Sequence, residues 1–292
     1  MFRGTYTALV TPFRDGEIDS SALERLIEGQ ISAGITGVVA IGTTGETPTL
    51  THEEREQVIR LTVEIANGRC EVLAGTGSYS TKDAITATVA AQEMGVNGSL
   101  IVAPYYNKPS QEGLFRHFQA IAQATELPIM LYNIPGRCGV DINVDTVERL
   151  ASACRNIVSI KEASGSVDRV GELVARMPEA FTILSGDDGL TLPFMAAGAV
   201  GVVSVVSNLL PAEICELVNA LSGGDYETAR RIQRRLVRLF KDLFIEPNPV
   251  PVKTALAWRG HMSAEVRLPL CEMTPGNEAR LRDTLAAFDS SI

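Results

Sequence analysis

The chain has 292 residues, 45% hydrophobic and 21% charged, with 25 glycines and 14 prolines, enough for one large α/β domain or two smaller ones. Its formal net charge of -9 and pI near 5.0 exclude nucleic acid and anionic membrane surfaces as main partners, so a small acidic substrate needs a few placed donors. The opening stretch Met1-Phe2-Arg3-Gly4-Thr5-Tyr6 lacks the apolar run of a signal peptide, and no later run is long enough to span a bilayer, so the expected compartment is the cytoplasm.

From the N-terminus the pattern is strand, loop, helix, repeated. Apolar runs rich in β-branched residues at 6–10, 37–41, 71–74, 99–102, 128–132, 157–161, 182–184 and 200–206 are each followed by a helical period. Ser21 with Glu24, and Thr51 with Glu54, have the spacing of a capping box, and Asp19, Ser80, Ser110 and Asn143 are further helix-cap candidates. Eight βα units with right-handed crossovers predict an α/β fold, a (β/α)8 TIM barrel over residues 1–223. A doubly wound open sheet is the alternative; against it, Gly75-Thr76-Gly77-Ser78-Tyr79-Ser80 begins a dinucleotide fingerprint but lacks its third glycine.

After Ser222-Gly223-Gly224-Asp225 the alternation stops. Residues 226–244, 252–258 and 278–288 read as helices, so 224–292 is expected to be a helical C-terminal extension packed on the barrel. Its stretch 230–241 is basic and amphipathic, which suits a partner helix or a membrane surface, or more simply a solvated face opposite an apolar stripe. Five cysteines, at 70, 138, 154, 215 and 271, have no Cys-x-x-Cys spacing, and Cys138 is the one placed to lie near a pocket. His52, His117 and His261 show no ligand spacing, so neither metal nor cofactor is expected.

In a barrel of parallel strands the C-terminal strand ends meet at one face, where the chemistry is kept. Residues 157–161 end such a strand on an amine, Lys161, which either snorkels or pairs with Glu162, or is a partly desolvated nucleophile with a pKa drawn from about 10.4 towards roughly 7 to 8. The other strand ends supply the hydroxyls of Gly42-Thr43-Thr44-Gly45-Glu46, the phenols of Pro104-Tyr105-Tyr106-Asn107, and a phenol and a guanidinium in Tyr132-Asn133-Ile134-Pro135-Gly136-Arg137. Ser185-Gly186-Asp187-Asp188 follows the seventh run, its carboxylates read as turn and cap groups. Singly each is an ordinary βα turn. Together they are the equipment of Schiff-base chemistry on an α-keto acid.

From Ala8-Leu9-Val10-Thr11-Pro12-Phe13 through these motifs to Asn248-Pro249-Val250-Pro251-Val252-Lys253, the chain resembles the dihydrodipicolinate synthase and N-acetylneuraminate lyase superfamily, and most nearly its synthase branch. The resemblance implies that Lys161 forms the Schiff base with pyruvate, that Tyr132 transfers protons, and that Thr43 links Tyr132 to Tyr106, which reaches into a neighbouring subunit's site. It also implies that Thr44 holds the pyruvate carboxylate, that Gly186 and Val203 line the pocket, and that the assembly is a homotetramer built as a dimer of dimers. Arg137 and the Gly-Thr-Thr-Gly-Glu motif, where the sialic acid lyases usually read Gly-Ser-Thr-Gly-Glu and lack the arginine, imply L-aspartate 4-semialdehyde as second substrate.

Positions that resemble the family's lysine-feedback site are Thr47, Pro48, His52, Arg55, Tyr79, Asp83 and Tyr105. Three depart from the lysine-sensitive pattern, with Arg55 for histidine, Tyr79 for asparagine and Asp83 for glutamate, so weak or absent inhibition is expected. The competing functional readings are a pyruvate-dependent lyase of a sugar acid, which does not need Arg137, and a catalytically silent barrel that binds a keto acid.

Overall fold

A computed structural model of the chain describes residues 1–290. Each of the eight apolar runs is a strand, within two residues of its expected bounds. In chain order the elements are β1 (Gly4–Ala8), β2 (Phe13–Arg14), β3 (Glu17–Ile18), α1 (Ser20–Ser32), β4 (Gly37–Ala40), α2 (His52–Ala66), β5 (Glu71–Gly75), α3 (Thr81–Glu93), β6 (Gly98–Val102), α4 (Gln111–Gln123), β7 (Ile129–Asn133) and α5 (Pro135–Cys138). They continue with α6 (Val144–Ala153), β8 (Ile157–Glu162), α7 (Val167–Arg176), β9 (Thr182–Ser185), α8 (Thr191–Ala196), β10 (Gly201–Ser204), α9 (Pro211–Ser222), α10 (Tyr226–Asp242), α11 (Val250–Trp258) and α12 (Pro275–Asp289).

Strand β1 pairs in parallel with both β4 and β10, and the pairing runs on through β5, β6, β7, β8 and β9, so the sheet closes into a barrel. Every second residue points inward. Tyr6, Ala8, Val39, Leu73, Leu100, Met130, Tyr132, Leu184 and Val203 fill the interior as one apolar cluster. At its N-terminal end Phe2 and Tyr6 meet edge to face, and a Cβ at Gly98 or Gly37 would lie 2.4 Å from Phe2 or 2.5 Å from Tyr6. The floor is therefore closed by aromatic rings that only glycine neighbours admit, and the opposite end stays open for chemistry.

Helix starts differ in part from expectation. Thr51 and Glu54 form the capping box, and Ser80 and Ser110 cap α3 and α4 through their hydroxyls. Ser21 and Glu24 do not form one: Asp19 accepts the amide of Ala22, which begins α1 two residues earlier and leaves Ser21 inside it. Asn143 stands at the start of α6 without a side-chain cap, and its backbone amide donates to Gln111 Oε1 at 3.0 Å. A small hairpin, β2 with β3, went unanticipated, although Asp15 and Gly16 at its tip, with φ of 56° and 84°, are the Asp-Gly pair such turns require.

Helix α10 buries Ala229, Ile232, Leu236, Leu239 and Phe240 against the rest of the C-terminal cluster. On its other side Arg231 and Arg235 pair with Glu216 and Glu213 of α9 at 3.2 and 3.3 Å. Two of the stripe's six cations thus find carboxylates within the same chain, on a helix whose opposite side is an apolar stripe. Among the described residues no helix is long and apolar enough to cross a membrane. From the same extension Asn248, Lys253 and Arg267 reach back to the loops at the open end of the barrel.

Candidate active site

Strands β7 and β8 run side by side with Tyr132 opposite Lys161 and Asn133 opposite Glu162. Alternation sends Tyr132 and Lys161 into the barrel and their successors outward. Glu162 therefore cannot pair with Lys161, and pairs instead with Arg169 at 2.8 Å. Among the described residues the Lys161 amine has no ion pair; it lies 4.2 Å from the centroid of the Tyr132 ring. Gly186 packs on its stem, since a Cβ there would stand 3.1 Å from Lys161 Cε and Cγ.

Burial lowers the Lys161 pKa to about 8; the Asp188 charge works against that shift and the Arg137 charge adds to it. The consequence is kinetic. At pH 7 about one amine in ten is neutral and nucleophilic, against about one in 3,000 for an ordinary lysine. Burial pushes the Tyr132 phenol up to about 12, with Arg137 and the Thr43 side chain drawing it part of the way back. It is a neutral donor and acceptor at physiological pH, as a proton relay must be.

Thr43 and Thr44 open a 3-10 turn, residues Thr43–Gly45, whose first amides have no partner within the turn. Thr44 is buried and its Oγ1 accepts from Asn248 Nδ2 at 2.9 Å. The turn is held from below, where Thr11 Oγ1 donates to Gly45 O at 2.8 Å, and from its end, where the left-handed Glu46 binds Lys253 Nζ at 2.6 Å. Arg137 stands exposed on α5 and donates to the Asn248 carbonyl at 3.4 Å. One residue of the C-terminal extension thus touches both the buried threonine and the guanidinium.

Val203 is buried in the barrel interior beside Tyr132 and Leu184. Cys138 is buried near the phenol, and its thiol is raised to about 11. Tyr106 is not brought to this cluster. Its ring is 90% exposed and its φ is 72°, a left-handed backbone that an aromatic residue adopts at a cost.

Asp187 caps a turn, accepting from Gly189 N at 2.9 Å, as its position suggested. Asp188 does more than cap. It is buried, accepts from Ser204 Oγ and from the amides of Val205 and Val206, is raised to about 6 by burial, and helps keep Lys161 protonated. Asp188 and Asn248 are the two site residues missed by sequence reasoning. The charged pair in a glycine-rich strand end hinted at the first; nothing local marks the second.

The feedback positions lie apart from the lysine. Tyr79 and Tyr105 meet edge to face at 5.4 Å, Arg55 donates to Thr47 O at 3.0 Å, and the Arg55 charge reaches the Tyr105 phenol. His52 begins α2 and Asp83 lies in the first turn of α3, both exposed.

The model of the dihydrodipicolinate synthetase family matches residues 1–288. The chain is similar to 4-hydroxy-tetrahydrodipicolinate synthase of Aquifex aeolicus (strain VF5), 51% identical over 99% of this chain and 98% of that protein. Among solved structures it is similar to the 4-hydroxy-tetrahydrodipicolinate synthase of the methanotroph Methylacidiphilum fumariolicum SolV, with a TM-score of 0.98 and 56% identity over 99% of this chain and 97% of that one. A monomeric dihydrodipicolinate synthase variant superimposes with a TM-score of 0.97 at 40% identity, over 99% and 97% of the two chains.

Proposed function

The chain belongs to the dihydrodipicolinate synthetase family, and on that premise we propose that it condenses pyruvate with L-aspartate 4-semialdehyde to 4-hydroxy-tetrahydrodipicolinate, on the way to lysine and diaminopimelate, in the cytoplasm. The observation that carries this reading is a buried amine with a depressed pKa, unpaired and set over a phenol at the strand ends. Neutral Lys161 Nζ adds to the pyruvate carbonyl carbon, and loss of water leaves an imine. Loss of a methyl proton turns the imine into an enamine, whose carbon attacks the aldehyde. The amino group of the semialdehyde then displaces Lys161, closing the ring and freeing the amine. One water leaves overall and nothing is oxidised or reduced.

Tyr132 relays the protons of imine formation, with Thr43 as its partner. Thr44, its hydroxyl oriented by Asn248, holds the pyruvate carboxylate together with the turn amides. Gly186 and Val203 line the pocket, and Arg137 takes the carboxylate of the semialdehyde. In this reading residues 1–223 carry the chemistry and 224–292 brace it. Tyr106 serves a neighbouring subunit's site in a dimer of dimers, which agrees with an exposed ring on a strained backbone. Free lysine inhibits weakly or not at all, because Arg55 sets a cation beside Tyr105 and Tyr79 adds a bulky ring against it, which together repel or exclude the ligand. Submillimolar half-inhibition by lysine would overturn that part.

The deciding experiment measures pyruvate consumption with L-aspartate 4-semialdehyde, using Lys161→Ala as control. A fast rate lost in the variant is expected. No rate above the control sinks the synthase, and borohydride trapping of pyruvate on Lys161 then separates a sugar-acid lyase from a binding protein.

A further inference from the structure

Just outside the catalytic pair lies a buried ionic cluster that the proposed chemistry does not use. The Glu162 side chain is 0% exposed, and its two oxygens accept from Asn133 Nδ2 at 3.2 Å each, from Ser164 N at 2.7 Å and from Arg169 Nε at 2.8 Å. Burying a carboxylate with its guanidinium costs nearly as much as the pair returns, so stability alone gives little reason for it to be there. Its position gives a better one. Asn133 and Glu162 each follow a catalytic residue directly, and they sit opposite one another across the β7–β8 pairing.

The cluster also closes a loop. After Asn133 the chain runs through residues 134–141, which include α5 and Arg137, and returns at Ile142. The amide of Ile142 donates to Asn133 Oδ1 at 3.0 Å, and its carbonyl accepts from Arg169 Nη2. Both backbone groups of Ile142 are thereby bound to the cluster, and the segment that carries the guanidinium has its two ends fixed at one point. Gln111 holds the neighbouring Asp141 carbonyl and Asn143 amide from outside, but it has no link to the catalytic strands.

We infer that Glu162, Asn133 and Arg169 are positioning residues that set the location of Arg137 relative to the Lys161–Tyr132 pair, and thereby the use of the second substrate. The inference rests on the assignment of Arg137 to the semialdehyde carboxylate. A guanidinium misplaced by about 1 Å costs on the order of 100-fold, whereas imine formation with pyruvate needs no contact with it and feels only its charge, the smallest of the three influences on the Lys161 amine.

The test compares wild type, Arg169→Lys, Arg137→Ala and the double variant, each measured for kcat/KM with the semialdehyde and for the rate of borohydride trapping with pyruvate alone. Lysine at 169 keeps a charge beside Glu162 and cannot also reach the Ile142 carbonyl. The expected result is a loss of about 10- to 100-fold in kcat/KM for the semialdehyde with trapping unchanged, and no further loss when Arg169→Lys is added to Arg137→Ala. Equal losses in both assays, additive losses in the double variant, or no loss at all would overturn the inference. Should Arg169→Lys fail to fold, Asn133→Ser, which frees the Ile142 amide but leaves the ion pair, is expected to show the same split at smaller size, and a change confined to thermal stability would count against it. If Arg137→Ala leaves the semialdehyde kinetics untouched, the assignment of Arg137 fails first, and the positioning role falls with it.

Discussion

Two lysines are buried in this protein, and each lies 4.2 Å from the centre of an aromatic ring, Lys161 over Tyr132 and Lys253 over Phe13. Their neighbours otherwise differ. Lys253 donates to Thr11 O at 2.9 Å and binds a carboxylate, Glu46, at 2.6 Å, whose charge and hydrogen bond oppose the lowering of its pKa by burial. Lys161 has a ring with a hydroxyl and a more distant carboxylate, Asp188, whose charge only moderates the effect of burial. A paired amine stays an ammonium and becomes a strut; an unpaired one gives up its proton near neutrality and becomes a nucleophile. The contact ion pair is the charged part of that difference, and it separates structure from chemistry.

The sharpest way to break this comparison is to make both sites apolar. Lys161→Met is expected to abolish turnover and borohydride trapping while the protein becomes more stable at pH 7. The folded pKa of about 8 lies below the ordinary value of 10.5, so the unfolded chain binds more protons between these values. The penalty is complete below about pH 8, on the order of 3 kcal/mol, and fades as the pH rises to about 10.5. Urea unfolding at pH 7 and pH 10 reads it, and a variant less stable than wild type at pH 7 contradicts it. Tyr132→Phe, which gives Lys161 the same kind of ring as Lys253, is expected to lower kcat by about 10²- to 10⁴-fold, since only the relay is removed. A loss below tenfold would assign the relay elsewhere.

Lys253→Met is expected to do the reverse of Lys161→Met. It leaves Glu46 buried without its ammonium and costs about 3–5 kcal/mol in unfolding free energy, while whatever protein remains folded still traps pyruvate. A stable variant that traps nothing would make Lys253 part of the chemistry. The smallest effects concern pH. The rate of trapping should rise about tenfold per pH unit, as the neutral amine fraction grows, and level off above the Lys161 pKa of about 8. Asp188→Asn should shift that midpoint to lower pH, because the charge that favours the ammonium is gone; a shift to higher pH reverses the assigned role.

The eight strands were legible because short β-branched runs bounded by glycine and proline have few other readings, and Lys161 was legible because it ends such a run. What could not be read is contact across the chain. Asn248 and Thr44 are 204 residues apart, Arg267 and Glu54 are 213 apart, and no local pattern announces either meeting. Ser21 with Glu24 shows the converse fault, a valid local pattern displaced by Asp19 two positions earlier. Glu162 misled in a third way: adjacency to Lys161 suggested a pair, whereas strand alternation puts the two on opposite faces.

The ion pair between Glu46 and Lys253 spans 207 residues, and that distance has a meaning in time. A ribosome adding ~5–20 residues per second makes the lysine roughly 10–40 s after the glutamate. Throughout that interval the Glu46 carboxylate has no ammonium to follow it into the interior and stays in water. The contacts of Asn248 and Lys253 with the turn that carries Thr43 and Thr44 therefore form only when the last quarter of the chain has emerged and docked, after every strand of the barrel has already been made.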